Sequence, residues 1–158
     1  MPEPSAPVPA HPAADAIVLG FDVGARRIGV AVGSALGGAR AVAVVDVREG
    51  GPDWTSIERL HRDWRPAGLV VGDPMTLDGG DQPIRRRARA FAGELKARFR
   101  LPVVMVDERS SSVEAAQRFA RDRAAGNRRR RDAATLDAAA AAVIVERWLA
   151  APEDATPL

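Results

Sequence analysis

The segment IVLGFDVGARRIGVAVG, which runs from Ile17 to Gly33, decides how the chain begins to fold. Residues 16–21 are almost continuously apolar and predict a buried strand, and residues 28–33 predict a second strand. The short interval between them predicts a hairpin turn, in which Gly24 supplies the backbone freedom that a tight turn needs. Asp22 ends the first strand. It either caps the turn or holds a metal ion or a phosphate, and this segment alone does not decide between them.

Composition limits the fold and the kinds of site. A chain of 158 residues, 46% of them hydrophobic, suits one domain with an ample core. The absence of cysteine excludes disulfides and thiolate metal sites. Because His11 and His61 are the only histidines, a histidine-rich zinc site is not expected. Any metal site would be built from oxygen ligands, which suit Mg²⁺ or Mn²⁺.

The charged residues are nearly balanced in sign but unusual in type. The chain has 23 basic and 21 acidic residues, a net charge of +2, and Lys96 is its only lysine. Arginine favours bidentate contact with phosphate, although a GC-rich genome would produce the same bias. Composition therefore leaves a nucleic-acid partner and a genomic explanation both open.

Three segments are predicted along the chain. Residues 1–14 are rich in proline and alanine and predict a disordered arm, residues 15–150 a single domain, and residues 151–158 a frayed tail. The arm lacks the charged and apolar regions of a signal peptide. No apolar run approaches the roughly 20 residues of a membrane span. We therefore expect a cytoplasmic protein without a membrane partner.

The order of the elements predicts an α/β fold. A third strand is expected at residues 41–47, and buried strands at 68–72 and 103–106. A helix capped by Asp53 or Thr55 should end near Trp64, and further helices are expected at 84–99, 111–121 and 132–150. This order predicts a five-stranded mixed sheet, in which three antiparallel hairpin strands are joined by two parallel strands, with helices on both faces.

Carboxylates recur where the predicted strands end. Asp22 follows the first strand, and Asp107 and Glu108 follow the last, at the edge where sites of open α/β sheets collect. Asp137 lies on the final helix, on the same face as a set of apolar residues: Ala133, Ala141, Ile144 and Trp148. A carboxylate on an apolar face needs an arginine, backbone donors or a cation to compensate it.

Such a cluster of acids would repel itself unless a divalent cation neutralised it. Two such ions could clamp the attacking and leaving oxygens of a phosphodiester, which is the chemistry of a nuclease. Residue types leave alternatives open at each position. Because adjacent strand residues point to opposite faces, only one of Asp107 and Glu108 can enter the cluster. Asp137 could instead pair with an arginine.

Four sequence blocks in this order resemble the YqgF/RuvX family of the ribonuclease H-like superfamily. They are FDVGARRIGVAVG (Phe21 to Gly33), VVGDPMTLDG (Val70 to Gly79), DERSSSVEA (Asp107 to Ala115) and LDAAAAAVIVERWL (Leu136 to Leu149). The resemblance implies a ribonuclease H-like fold and a metal-dependent endonuclease that uses one or two Mg²⁺ or Mn²⁺ ions. It implies a role in maturing the 5′ end of the 16S ribosomal RNA precursor. The family motifs place its acids at Asp22, Glu108 and Asp137, as metal ligands and catalytic residues.

Two positions depart from the family pattern. Asp73 stands where an apolar residue is common, and Ser110 stands where a leucine is common. Asp73 is either a further metal ligand or a turn residue before Pro74, and we expect the turn residue. Ser110 makes the surroundings of the acids more polar.

Arginines near these acids are the expected substrate contacts. Arg27 lies in the turn after Asp22 and Arg109 follows Glu108, and a basic run precedes the last helix (Arg128, Arg129 and Arg130). The tryptophans are expected to pack in the core or at an interface. The implied partner is a ribosomal RNA precursor or pre-ribosomal particle, bound by a monomer or homodimer. The alternatives are a resolvase of branched DNA (a Holliday junction resolvase) and a non-catalytic nucleic-acid-binding factor in ribosome assembly or transcription.

Overall fold

A computed structural model describes residues 7–74, 82–107 and 132–158. Its helices are α1 (Trp54–Trp64), α2 (Pro83–Phe99) and α3 (Asp132–Ala150), with a 3₁₀ helix at Pro152–Asp154. Its strands are β1 (Val18–Val23), β2 (Arg27–Ser34), β3 (Gly38–Arg48), β4 (Gly51–Pro52), β5 (Gly68–Asp73), β6 (Val103–Asp107) and β7 (Thr156–Pro157). The helix predicted at 111–121 lies outside the described residues. No helix in the described part is both long and apolar enough to cross a membrane.

The predicted β1–β2 hairpin is confirmed. The strands pair antiparallel up to Val23 and Ile28, and the amide of Gly24 donates to the carbonyl of Arg27 at 2.9 Å. A Cβ at position 24 would lie 2.6 Å from that carbonyl oxygen. The turn closes tightly because glycine has no Cβ to meet this oxygen, whereas the expected use of backbone freedom was wrong, since Gly24 does not have a positive φ.

The sheet is mixed, with strand order β4-β3-β2-β1-β5-β6-β7. Strands β1, β2 and β3 form antiparallel pairs, while β5 and β6 continue the sheet in parallel beyond β1. These are the five strands expected from the sequence. The predicted number of five was nevertheless wrong, because the two-residue strands β4 and β7 extend the sheet at its two edges. Strands this short leave no alternating pattern in a sequence.

Both termini of the described chain pack on the domain. Residues 151–158 were expected to fray, yet β7 pairs antiparallel with β6 and Leu158 donates its amide to the carbonyl of Val103 at 3.0 Å. Lys96 donates to the carbonyl of Leu158. In the arm, Pro12 is buried against Gly68. Neither of these packing contacts can be predicted from local sequence, because the contacting residues are far apart along the chain.

Helices cover the two faces of the sheet, as predicted. One face packs against α1 and α2 through a core that includes Phe21, Ile57 and Phe91. The other packs against α3 through Val18, Ile144 and Trp148. Helix α1 begins at an N-cap, Asp53, whose carboxylate accepts from the amide and hydroxyl of Ser56. We call these the α2 face and the α3 face.

Helix α3 lies unusually close to the hairpin. A Cβ at Gly29 would overlap the backbone of Asp137 and Ala138, and a Cβ at Gly20 would overlap the side chain of Val145. The helix therefore rests directly on the β1–β2 backbone. This contact positions Asp137 beside the carboxyl end of β1.

Candidate active site

Asp22 and Asp137 lie on the same side of the sheet. Asp22 alternates along β1 with Gly20, which faces α3, and it pairs across the hairpin with Gly29. Gly29 in turn contacts the backbone of Asp137. Of the predicted acids, the structure thus brings Asp22 and Asp137 together, with Gly29 between them.

Arg27 joins this pair of acids. Its Nε atom donates to Oδ2 of Asp137 at 2.7 Å, and both side chains are partly exposed. Arg27 alternates along β2 with Gly29, so it also lies on the α3 face. Of the alternatives that the sequence left open for Asp137, the structure shows the ion pair with an arginine.

Asp73 does not join these acids. It ends β5 on the α2 face, where Leu69 and Val71 precede it at alternate positions. Its carboxylate accepts from Nε of Arg85 at 2.9 Å and from Nη2 at 3.4 Å, and both side chains are only 12% exposed. The expected role as a turn residue was therefore incomplete, because Asp73 forms a buried ion pair with α2.

Asp107 lies beside Asp73 across β5 and β6. It alternates with Val103 and Met105, whose side chains belong to the core on the α2 face. Asp107 is thus on the face opposite Asp22 and Asp137. Its backbone carbonyl accepts from Arg147 of α3 at 3.3 Å.

The remaining predicted site residues lie outside the described residues: Glu108, Arg109, Arg128, Arg129 and Arg130. Within residues 7–74, 82–107 and 132–158, no group of three or more histidine, cysteine or acidic side chains could hold a metal ion. The described part contributes the two carboxylates of Asp22 and Asp137. Such oxygen donors fit a hard divalent cation, and they would need at least one further ligand.

The tryptophans pack largely as predicted. Trp148 is buried in the core of the α3 face, and its indole nitrogen has no hydrogen-bond partner among the described residues. Trp54 stacks on Phe91 with ring centroids 5.4 Å apart, and Trp64 lies under the guanidinium of Arg40. All three therefore take part in packing.

Sequence reasoning did not identify Arg85 as the partner of Asp73. A signal was present. Asp73 is a carboxylate at the end of a buried strand, and such a group requires a partner. The helix that follows supplies it.

Comparison with known proteins places these features in a family. Residues 16–151 match the family described as "RuvX: Holliday junction resolvase". A protein of Xanthomonas campestris pv. campestris strain 8004, named "Putative pre-16S rRNA nuclease", is 71% identical over 91% of this chain and 94% of its own length. A protein of the same name from Xanthomonas oryzae pv. oryzae strain PXO99A is 67% identical over 100% of this chain and 99% of its own.

The fold has a solved counterpart. The structure described as "T. thermophilus RuvC in complex with Holliday junction substrate" superposes with a TM-score of 0.54 at 19% identity, over 90% of this chain and 99% of that one. This likeness establishes the ribonuclease H-like fold that the sequence resemblance implies. With the family match over residues 16–151 and relatives of about 70% identity, the chain belongs to the RuvX family.

Proposed function

We propose that the protein is a metal-dependent endonuclease that hydrolyses phosphodiester bonds in structured RNA. The proposed reaction is maturation of the 5′ end of the 16S ribosomal RNA precursor, in the cytoplasm. The observation that carries this proposal is the placement of Asp22 and Asp137 on one face of the sheet, joined through Gly29. The name shared by the Xanthomonas relatives supports the substrate.

Asp22, Asp137 and Glu108 would hold one or two Mg²⁺ or Mn²⁺ ions. Ions held there would supply positive charge to stabilise the attacking and leaving oxygens of a phosphodiester. The close seating of α3 on Gly29 keeps Asp137 in place without the reorganisation that a mobile ligand would need.

The arginines of the chain would hold the RNA backbone. Arg27 already lies on the α3 face with a partly exposed guanidinium, whose nitrogens fit a phosphate. Arg109 and the basic run at 128–130 are proposed to contact flanking phosphates. Binding that depends on such contacts should weaken steeply as the salt concentration rises.

The test is cleavage of a 5′-extended 16S ribosomal RNA precursor with Mg²⁺, with Mn²⁺ and with EDTA. The wild type would be compared with Asp22→Asn, Asp137→Asn and Glu108→Gln. Each variant keeps the shape of the side chain but loses charge. We expect metal-dependent cleavage in the wild type and a loss of at least about a hundredfold in each variant.

Asp63→Asn is the matched control, because Asp63 is an exposed carboxylate on α1, which covers the opposite face of the sheet. It should cleave like the wild type. Full activity of Asp22→Asn would contradict the proposal. RNA binding without cleavage in any metal would instead favour a non-catalytic assembly factor.

Branched DNA is the second candidate substrate. The description of the family and the fold shared with RuvC both favour it, although fold alone is a poor guide to function. A four-way DNA junction should therefore be run beside the RNA. Paired, symmetric cuts in the junction, without cleavage of the RNA, would replace the first proposal with this one.

A further inference from the structure

A second concave site lies on the α2 face, behind the β1–β2 turn. The described residues enclose a cavity of 430 Å³ between this turn, the ends of β3 and β4, the first turn of α1 and the middle of α2. That volume lies in the range of about 300–1,000 Å³ that is usual for small-molecule sites. Neither Asp22 nor Asp137, the two described acids proposed to hold a metal, lines the cavity.

The walls of the cavity are apolar and firmly held. Val23, Ile28 and Phe91 are buried members of the core, and their side chains form the floor. Trp54 stands at one side, fixed by stacking on Phe91 and by the guanidinium of Arg98, which lies 4.1 Å from its ring centre. The floor of the cavity and the side formed by Trp54 are therefore held by packing contacts.

The rim of the cavity carries charges of both signs. Arg48 and Arg87 supply donors, while Glu49 and Glu94 supply acceptors. A phosphate alone would leave the apolar floor unused, and a hydrocarbon chain would leave the donors and acceptors of the rim unused. A ligand with apolar flat faces and a polar edge satisfies both parts, and a nucleobase has this chemistry.

The cavity adjoins the proposed active site. Gly24 and Ala25 line it, and Gly24 follows Asp22 by two residues, or roughly 7 Å of extended chain. Arg87 of α2 contacts the same turn, because its Nη1 atom donates to the carbonyl of Ala25 at 3.4 Å. The turn thus has the acids on its α3 side and the cavity on its α2 side.

We propose that this cavity binds an unpaired nucleobase of the substrate RNA, from a nucleotide next to the cleaved phosphate. This inference rests on the proposed nuclease function, to which it adds a preference for RNA that is single-stranded beside the cut. The base leaves its stack, crosses the β1–β2 turn and enters the cavity. Its neighbouring phosphate stays on the α3 side with Asp22 and Asp137.

Replacing Ala90 with a large side chain should fill the cavity while keeping its charged and aromatic side chains. Ala90 is an exposed residue of α2 that lines the cavity, so Ala90→Trp should block the site and leave the core intact. Ala97→Trp is the matched control, because Ala97 is exposed on the same helix and does not line the cavity.

The first measurement is the movement of backbone amide NMR signals of Gly24 and Gly51 in EDTA, without catalysis. Nucleoside 5′-monophosphates should shift both signals, and ribose 5-phosphate, which lacks a base, should not. Ala90→Trp should abolish the shifts and Ala97→Trp should retain them. Equal shifts with ribose 5-phosphate would show a phosphate site and overturn the proposal.

The second measurement is the binding of a single-stranded RNA hexamer in EDTA. Ala90→Trp should weaken it by roughly five- to 150-fold, the usual value of one stacked base, and Ala97→Trp should bind like the wild type. If Ala90→Trp binds the hexamer unchanged, the cavity belongs to a free nucleotide and the proposal fails. Because neither measurement needs cleavage, an inactive wild type would contradict the nuclease proposal alone.

Discussion

Nε of Arg27 lies 2.7 Å from Oδ2 of Asp137, so a guanidinium contacts the carboxylate that the family motifs assign to metal binding. Arg27 comes from the start of β2 and Asp137 from α3, and Gly29 lets the two elements meet. An arginine compensates the charge of Asp137 in this structure. A divalent cation at the same carboxylate would compete with it.

Arg27→Gln should therefore tighten the binding of Mn²⁺. Both partners are partly exposed, so the ion pair is screened by solvent and the gain should be modest, roughly two- to fivefold. Electron paramagnetic resonance of free Mn²⁺ measures this affinity directly. RNA binding in EDTA should weaken in the same variant, because a phosphate contact is lost.

Arg26→Gln is the control for this prediction. Arg26 lies in the turn immediately before Arg27, is exposed and carries the same charge. It should leave the Mn²⁺ affinity nearly unchanged. An equal gain in both variants would mean that overall charge, rather than the ion pair with Asp137, controls metal binding.

Gly29→Ala should destabilise the protein by about 1–3 kcal/mol, because its Cβ would overlap the backbone of α3 and force the helix outward. Cleavage should fall as well, because Asp137 moves with the helix. Urea denaturation measures the free energy of unfolding. Gly93→Ala is the control: Gly93 lies within α2 with open space around its Cβ position.

The two alanine substitutions should change the free energy of unfolding in opposite directions. Alanine is favoured over glycine inside a helix by roughly 0.5–1 kcal/mol, so Gly93→Ala should stabilise the protein. A Gly29→Ala variant as stable as the wild type would show that α3 adjusts to the extra atom without cost.

The Asp73–Arg85 ion pair predicts a change in stability that is separate from metal binding. Asp73→Ala removes the carboxylate from a pair whose side chains are 12% exposed. The expected loss is about 3–5 kcal/mol, measured by urea denaturation. The double variant Asp73→Ala/Arg85→Met should be less destabilised than Asp73→Ala alone, because no buried charge loses its counterion.

Mn²⁺ affinity is the check on this assignment. Asp73 lies on the face opposite Asp22 and Asp137, so Asp73→Asn should bind Mn²⁺ like the wild type. A marked loss of affinity would instead make Asp73 part of the metal site.

Asp53 makes a small contribution to stability that depends on pH. The side-chain hydrogen bond from Ser56, followed by the backbone hydrogen bond from Ser56, lowers the pKa of Asp53 below its ordinary value of 3.8. Because the folded-state pKa is the lower one, the contribution is present in full above the ordinary value. It is lost as the pH falls through the lowered folded-state pKa.

Asp53→Asn isolates this effect. Asparagine caps a helix about as well as aspartate, so stability at pH 7 should change little, while the acid-dependent loss due to Asp53 disappears. Asp53→Ala should destabilise at pH 7 as well, because it removes the cap. Thermal unfolding between pH 3 and pH 7 compares the three proteins, and identical pH profiles for all of them would contradict the assignment.

The sequence predicted those parts of the fold that local patterns determine. The β1–β2 hairpin follows from two apolar runs around Gly24, and α3 begins at Asp132 and ends at Ala150 as its periodicity indicated. The strand β7 was missed because a two-residue strand has no period. Its pairing with β6 depends on a partner about 50 residues earlier in the chain.

The candidate site was predictable only in part. The end of a strand indicated Asp22 and the apolar face of a helix indicated Asp137, but neither pattern indicated which arginine would meet Asp137. Arg26 and Arg27 are adjacent, and the register of the hairpin decides that Arg27 reaches the α3 face. The pairing of Asp73 with Arg85 depends on how α2 packs on the sheet, which the sequence spacing does not determine. The role of Glu108 stays a prediction.

The outermost strands of the sheet both contain a proline, Pro52 in β4 and Pro157 in β7. Proline has no amide hydrogen to offer an incoming strand, and an edge of two residues is too short to template one. On the β6 side, β7 therefore shields Val104 and Met105 of the apolar strand β6 from pairing with other molecules. Removing residues 156–158 should leave Asp22 and Asp137 in place but make the protein prone to aggregate through β6, which matters for any shortened version of the chain.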